Sequence, residues 1–427
     1  MKRFAAALCL GLMAASSATV SANGEENWTS YRGPTDQGHS DAKNLPVKWS
    51  ESENVVWKTA IPGKAWSSPV IWGERIWLTD APDSGSLLYA VCIDKNTGKT
   101  ILKKKLRFVV GPQYCHPFNS YGSPSPVVEE GRVYVSFGSP YNGCLDSKTG
   151  EVIWERTDFV CNHFRGPGSS PFIYKDLFIL HLDGADRQYV VALDKNTGKT
   201  VWQTNRSVDF HDRGPRASEA ALAGDLRKAF STPVIADVAG KPVLISLGSM
   251  ALYGYEPATG KELWRVEAIG SHSGSCRPVI GHGLVFSPMG MHGELFAVRP
   301  DGQGDVTDTH VAWEYKGAVP KRPSHLLVDD LLFMVDNDGV GACVEAKTGK
   351  EVWKARVGGN YSSSPIYADG KIYFFNQTGK STVIEAARKY KVLAVNELDE
   401  GTMASPAVSG QALYVRTKTH LYRIEDK

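Results

Sequence analysis

An eleven-residue phrase that returns along the chain constrains the fold more than any other feature. It reads ALDKNTGKTVW at 192–202, with close copies at 144–154 (CLDSKTGEVIW), 254–264 (GYEPATGKELW) and 343–353 (CVEAKTGKEVW). A fifth copy, CIDKNTGKTIL, starts at Cys92 and carries Leu102 where the others end in Trp. Each copy encodes a strand ending in an acidic residue, a turn closed by Thr-Gly, and a new strand ending in Trp. Gly198 and its counterparts supply the positive φ such a turn needs. Asp94, Asp146 and Asp194 stand where a carboxylate can accept N–H bonds from the turn.

A second mark opens each unit: a Ser-Pro pair or a variant, then an apolar strand, a tight turn and another apolar strand. The prolines are 69, 126, 171, 233, 278, 365 and 406, with His325 in place of one, at spacings of 40 to 62 residues. Eight openings with four strands per unit are the signature of a propeller. The eighth unit ends at HLYRIEDK with no fourth strand, whereas NVVWKTAIPG, around Trp57, is a fourth strand with no unit before it. Pairing the two closes the ring and removes the open sheet edges. The expected fold is therefore all-β: an eight-bladed β-propeller with four-stranded antiparallel blades, closed by the N-terminal strand in the last blade. The Trp residues at 57, 154, 202, 264, 313 and 353 recur at one repeat position and are expected to pack between blades.

Residues 1–22 have the pattern of a secretory signal peptide: Lys2 and Arg3, an apolar run, and Val20-Ser21-Ala22 before the cleavage point. The run is too short to span a bilayer, and Cys9 lacks the setting of a lipoprotein box, so a secreted or periplasmic protein without a stable membrane anchor is expected. Residues 23–53 form an irregular lead-in, and 54–427 a single propeller. The 48 basic residues nearly balance the 46 acidic ones, which argues against nucleic acid as a partner.

The A-x-D-x-x-T-G-K-x-x-W copies, eight units and closure resemble the tryptophan-docking repeats of the pyrroloquinoline-quinone (PQQ)-binding-like propellers. That superfamily includes quinoprotein dehydrogenases and the outer-membrane-protein assembly lipoprotein. The resemblance implies the fold; it leaves function to the loops. Quinoprotein dehydrogenases would imply PQQ with calcium, often beside a Cys-Cys pair. The chain has no Cys-Cys pair, no identifiable calcium-ligand motif and no C-x-x-C-H, so no cofactor is expected.

Within each unit the first-to-second and third-to-fourth strand turns are short, while the loops at the opposite ends are long and carry His, Arg, Tyr and Asn. The long-loop face is the expected working face. Its candidate ligand-binding residues at the channel mouth are His116, His163, Arg165, His211, Arg213, His272, Arg277, Arg322 and Tyr361. The insertion holding His211 and Arg213 has room for a short helix in its later part. Cys115 and Cys161, in successive loops, are candidates for a disulfide in an oxidising compartment. The expected function is a monomeric, non-enzymatic exported propeller that binds a protein or glycan partner through this face. The mouth could also hold a metal through His116, His163, His211 and His272; the alternatives are a metal-dependent or carbohydrate-active enzyme using the Cys115/His116, His163 and His211 loops and, behind it, a PQQ-dependent dehydrogenase.

Overall fold

A computed structural model describes residues 27–212, 218–291 and 293–426. The expected signal peptide lies outside the described residues. Eight sheets form an eight-bladed propeller, and helix among the described residues is confined to Glu219–Leu222 and Thr307–His310. The first of these sits where the long insertion was expected to turn helical.

Blade 1 shows the plan. Val70–Trp72, Arg75–Asp80, Leu87–Asp94 and Thr100–Phe108, strands A to D, pair antiparallel in chain order. Strands B and C are buried on both sides by neighbouring blades; in blade 3, Leu177–Asp183 and Gln188–Asp194 read as nearly continuous apolar runs for that reason. Strand D is the outer edge, and Thr200–Asn205 keeps one buried residue, Trp202. In blade 8, Val55–Ala60 pairs antiparallel with His420–Ile424 and closes the ring.

Every C–D pair contains a register shift beside the Trp position; in blade 3, Ala192 faces Trp202 and Leu193 faces Thr200, leaving Val201 extra. Such a bulge re-aims the following side chain, here toward the turn of the next blade. Trp154 Nε1 donates to Lys195 O at 2.8 Å, and Trp202 Nε1 to Pro257 O at 3.0 Å. The turn accommodates the ring only because its residue is Gly: a Cβ on Gly260 (φ +70°) would lie 2.3 Å from Trp202. The turn itself is held as expected, with Asp194 Oδ1 accepting from Asn196 N, Thr197 N and Thr197 Oγ1 at 2.8–3.1 Å.

A second ring of links runs around the channel through the residue before each opening proline. Ser68 N donates to Ser125 Oγ, Ser125 N to Ser170 Oγ, and Ser170 N to Thr232 Oγ1, at 2.8–3.1 Å. After a gap, Arg277 N donates to Ser324 Oγ, Ser324 N to Ser364 Oγ, Ser364 N to Ser405 Oγ, and Ser405 N back to Ser68 Oγ, at 2.8–3.0 Å. The gap falls at Arg277, which stands where its neighbours have a hydroxyl.

The lead-in, expected as an irregular segment, crosses the centre of the propeller. Trp28 bridges Ile71 of blade 1, and Val128 N of blade 2 donates to Thr29 O. Arg277 of blade 5 donates to Tyr31 O, Arg32 to His325 O of blade 6, and His39–Ser40 pairs parallel with strand A of blade 7. These contacts lie on the short-turn side of the Ser ring, so the lead-in blocks that end of the channel and leaves the long-loop end open.

Candidate functional site

The blocked channel makes a cul-de-sac. A cavity of about 240 Å³ opens among the long D-to-A loops, with Tyr31 of the lead-in and ring residues Ser68, Ser125, Ser170, Thr232 and Ser405 in its wall. Tyr31 is fixed by a 2.9 Å hydrogen bond between its hydroxyl and Ser364 Oγ. Aromatic surface is added by Trp66, Phe118 and Phe230, and the charged or titratable loop groups are His116, Arg165 and Arg322. Trp66 Nε1 donates to Phe118 O, and the Arg322 guanidinium lies over the Phe118 ring at 4.3 Å. Burial holds the Arg322 pKa below its ordinary value. Arg165 is partly exposed and reaches Asp225 only at 3.5 Å. His116 accepts from Phe118 N through Nδ1, and burial, with Arg165 and Lys64 nearby, lowers its pKa.

Three of the expected residues, His116, Arg165 and Arg322, thus meet at the mouth. The others go elsewhere. His163 is buried beneath the loops, where Nε2 accepts from Ser139 N at 2.9 Å and burial pushes its pKa down to about 4. It is a loop fastener, held neutral at ordinary pH. Arg277 is 1% exposed; it donates to Pro233 O and Tyr31 O and pairs with Asp36 at 2.9 Å, so it pins the lead-in. Tyr361 is a core residue, edge-on to Phe374, with its pKa raised to about 12 by burial. His211 is exposed beside Asp209, and His272 bonds Ser273 Oγ; neither lines the cavity. Arg213 lies outside the described residues.

The Cys115–Cys161 bridge is not formed: all six cysteines among the described residues are free thiols. Cys161 is buried with its sulfur 3.7 Å from His163 Nδ1, while the Cys115 sulfur faces the carbonyls of His116 and Arg165 at 3.9 Å. The four histidines do not converge, and no group of three or more His, Cys, Asp or Glu suited to a metal exists among the described residues. The cavity also does not fit a quinone with calcium. Among the described residues its wall holds no carboxylate, and the one amide there, Asn119, is spent on Arg165 O, Pro167 O and Ser123.

A second depression of about 360 Å³ lies on the same face between the loops of blades 1 and 2, walled by Leu88, Val109, Tyr121, Phe137 and Phe159. Beside it Phe108, Val110, Tyr114 and Val160 are 53–86% exposed. The His116 and Arg165 segments, joined by His116 N donating to Arg165 O, separate this groove from the cul-de-sac. Sequence reasoning missed Tyr31, Trp66 and the hydroxyl ring; the signal for the ring was the Ser or Thr that recurs just before the opening proline.

The family described as outer membrane protein assembly factor BamB matches residues 88–206 and 186–427. Among solved structures, BamB from Moraxella catarrhalis is similar over 87% of this chain and 99% of its own, with a TM-score of 0.58 at 14% identity. Quinohemoprotein alcohol dehydrogenase from Comamonas testosteroni is similar over 94% and 81%, with a TM-score of 0.65 at 13% identity. The computationally designed protein Ika8 is similar over 89% and 99%, with a TM-score of 0.56 at 10% identity. An assembly factor, an enzyme and a designed protein share the shape, so these likenesses speak for the fold alone. No curated protein sequence matches the chain.

Proposed function

Because the chain belongs to the family described as outer membrane protein assembly factor BamB, we propose that it is an exported, non-enzymatic propeller that holds a protein partner on its long-loop face. The observation that carries this reading is the apolar groove flanked by Phe108, Val110, Tyr114 and Val160. Exposed apolar residues clustered beside a concavity mark interaction surfaces more often than scattered ones do. The signal-peptide pattern at 1–22 supports a secreted or periplasmic location, and the family's printed name supports a protein as the partner. Nothing in this reading calls for a cofactor or a catalytic group.

The test is site-directed photocrosslinking in the exported compartment, with the probe at Tyr114 and, as a control, at Val201 on the outer strand of blade 3. A discrete adduct from Tyr114 that disappears in Val110→Asp, with none from Val201, is the expected result. Equal labelling from both positions would sink the proposal.

A further inference from the structure

The ring around the channel leaves donors unspent. Ser68, Ser125, Ser170, Thr232 and Ser405 are 2–4% exposed, and each hydroxyl oxygen accepts a backbone N–H from a neighbouring blade. None of the five hydroxyl protons has an acceptor among the described residues. Each hydroxyl keeps one proton to give, so the wall suits an occupant that supplies acceptor oxygens. Arg322 makes no hydrogen bond among the described residues, and its Nε is buried without a partner. Arg165 adds a second guanidinium; Asp225 meets it at 3.5 Å and Asp338 lies near Arg322, but neither carboxylate is among the described residues of the wall. An anionic occupant rich in acceptors complements this wall best.

Size and the remaining walls narrow the class. A volume of about 240 Å³ is the space of about eight water molecules, below that of most drug-sized sites. Trp66, Phe118 and Tyr31 offer flat apolar faces. Phosphate or sulfate would use the donors and leave these faces idle. A peptide carboxy-terminus would bring amide N–H groups, whereas the wall's amide oxygen is already engaged by Ser123. A sugar acid has a C–H face for an aromatic ring, several oxygens that can accept from the ring hydroxyls, and a carboxylate for an arginine.

We propose that the cul-de-sac at the channel mouth binds one acidic sugar unit, a hexuronate, with its hydroxyls on the Ser/Thr ring and its carboxylate on Arg322 and Arg165. The site is distinct from the apolar groove and does not depend on a protein docking there.

Calorimetric titration of the mature protein with glucuronate, galacturonate, glucose, inorganic phosphate and a tripeptide with a free carboxylate tests this. One uronate is expected to bind saturably, with glucose weaker by about tenfold or more, the cost of one charge-assisted contact, and with phosphate and the tripeptide weaker than the uronate because neither uses the aromatic faces and the hydroxyl ring together. Arg322→Gln and Arg165→Gln should each weaken the uronate by about tenfold. Thermal melts run alongside; should Arg322→Gln fail to fold, the more exposed Arg165 carries the test. No saturable uronate binding overturns the proposal, as does a tighter phosphate or tripeptide, or affinity unchanged in Arg165→Gln. Loss of crosslinking at the groove and loss of uronate heat are separate readouts, so either reading can fail alone.

Discussion

Blades 3 and 4 are joined by both regular fasteners, Ser170 N to Thr232 Oγ1 on the inside and Trp202 Nε1 to Pro257 O on the outside. Blades 4 and 5 have neither. Trp264 is fully buried, yet its Nε1 has no acceptor among the described residues, because blade 5 replaces the Thr-Gly turn by a longer segment. Arg277 occupies the position of the missing ring hydroxyl and instead bonds Pro233 O through Nε and Nη2. The longer segment compensates: Gly304–Asp305 crosses to pair in parallel with Trp264 and Arg265 of blade 4, and Asp305 faces Arg265 at 3.4 Å. A joint made from single side-chain atoms and a joint made from a strand thus hold the same ring, and they should respond differently to the same insult.

The largest effect is expected from Trp202→Ala, which removes the regular outer fastener and should cost about 3–5 kcal/mol in denaturant unfolding. Hydrogen exchange should rise first at the turn 256–261, which the ring covers; exchange spread evenly over all blades would break the idea of discrete joints. Next come two glycines of nearly equal φ, +70° at Gly260 and +71° at Gly304. A Cβ at Gly304 meets open space, whereas one at Gly260 meets Trp202. Gly304→Ala should cost about 1 kcal/mol and Gly260→Ala two to three times as much, roughly. Equal losses would show that φ alone decides.

Smaller still is the contrast between Trp202→Phe and Trp264→Phe. Only the first loses a hydrogen bond, so it should be the more destabilising by about 1 kcal/mol. Acid gives the smallest effect near neutrality. His181 bridges Ser231 O and Ser246 Oγ across the regular joint, and burial, then Arg206, holds its pKa well below the ordinary value. The fold keeps it neutral while the unfolded chain takes up a proton below about pH 6.5. Stability is therefore whole above that pH and falls as pH drops, at no more than about 1.4 kcal/mol per unit for one proton. His181→Asn should flatten the slope without abolishing it, since His163 and His325 shift in the same direction. An unchanged slope would remove His181 from the joint's chemistry.

What the sequence revealed was what is local and repeated. Turn chemistry at Asp194, the Trp positions and the orphan strand at Trp57 each depend on neighbours a few residues away or on a periodic copy. The irregular joint also has a signature in the sequence, since CRP at 276–278 and the missing Thr-Gly of unit five both depart from the pattern. The mouth was legible only as a face. Loop His and Arg look alike in sequence, and whether His163 is buried or His116 lines a cavity depends on how loops from separate blades stack. Tyr31 was beyond reach, because its place beside Ser364 is set by a segment that contacts five blades at once.

Closure by Val55–Ala60 against His420–Ile424 sets an order of events for the newly made chain. The strand that completes the last blade is the first propeller strand to be synthesised, and its partner is almost the last. It must wait through the synthesis of the other seven blades, so ring formation ends on a contact of nearly maximal sequence separation, the kind that slows folding most. Until then the orphan fourth strand stands unpaired at one end of the nascent array and the three-stranded last blade leaves His420–Ile424 as an open edge at the other, so a chaperone guarding this protein would have two edges to cover rather than one.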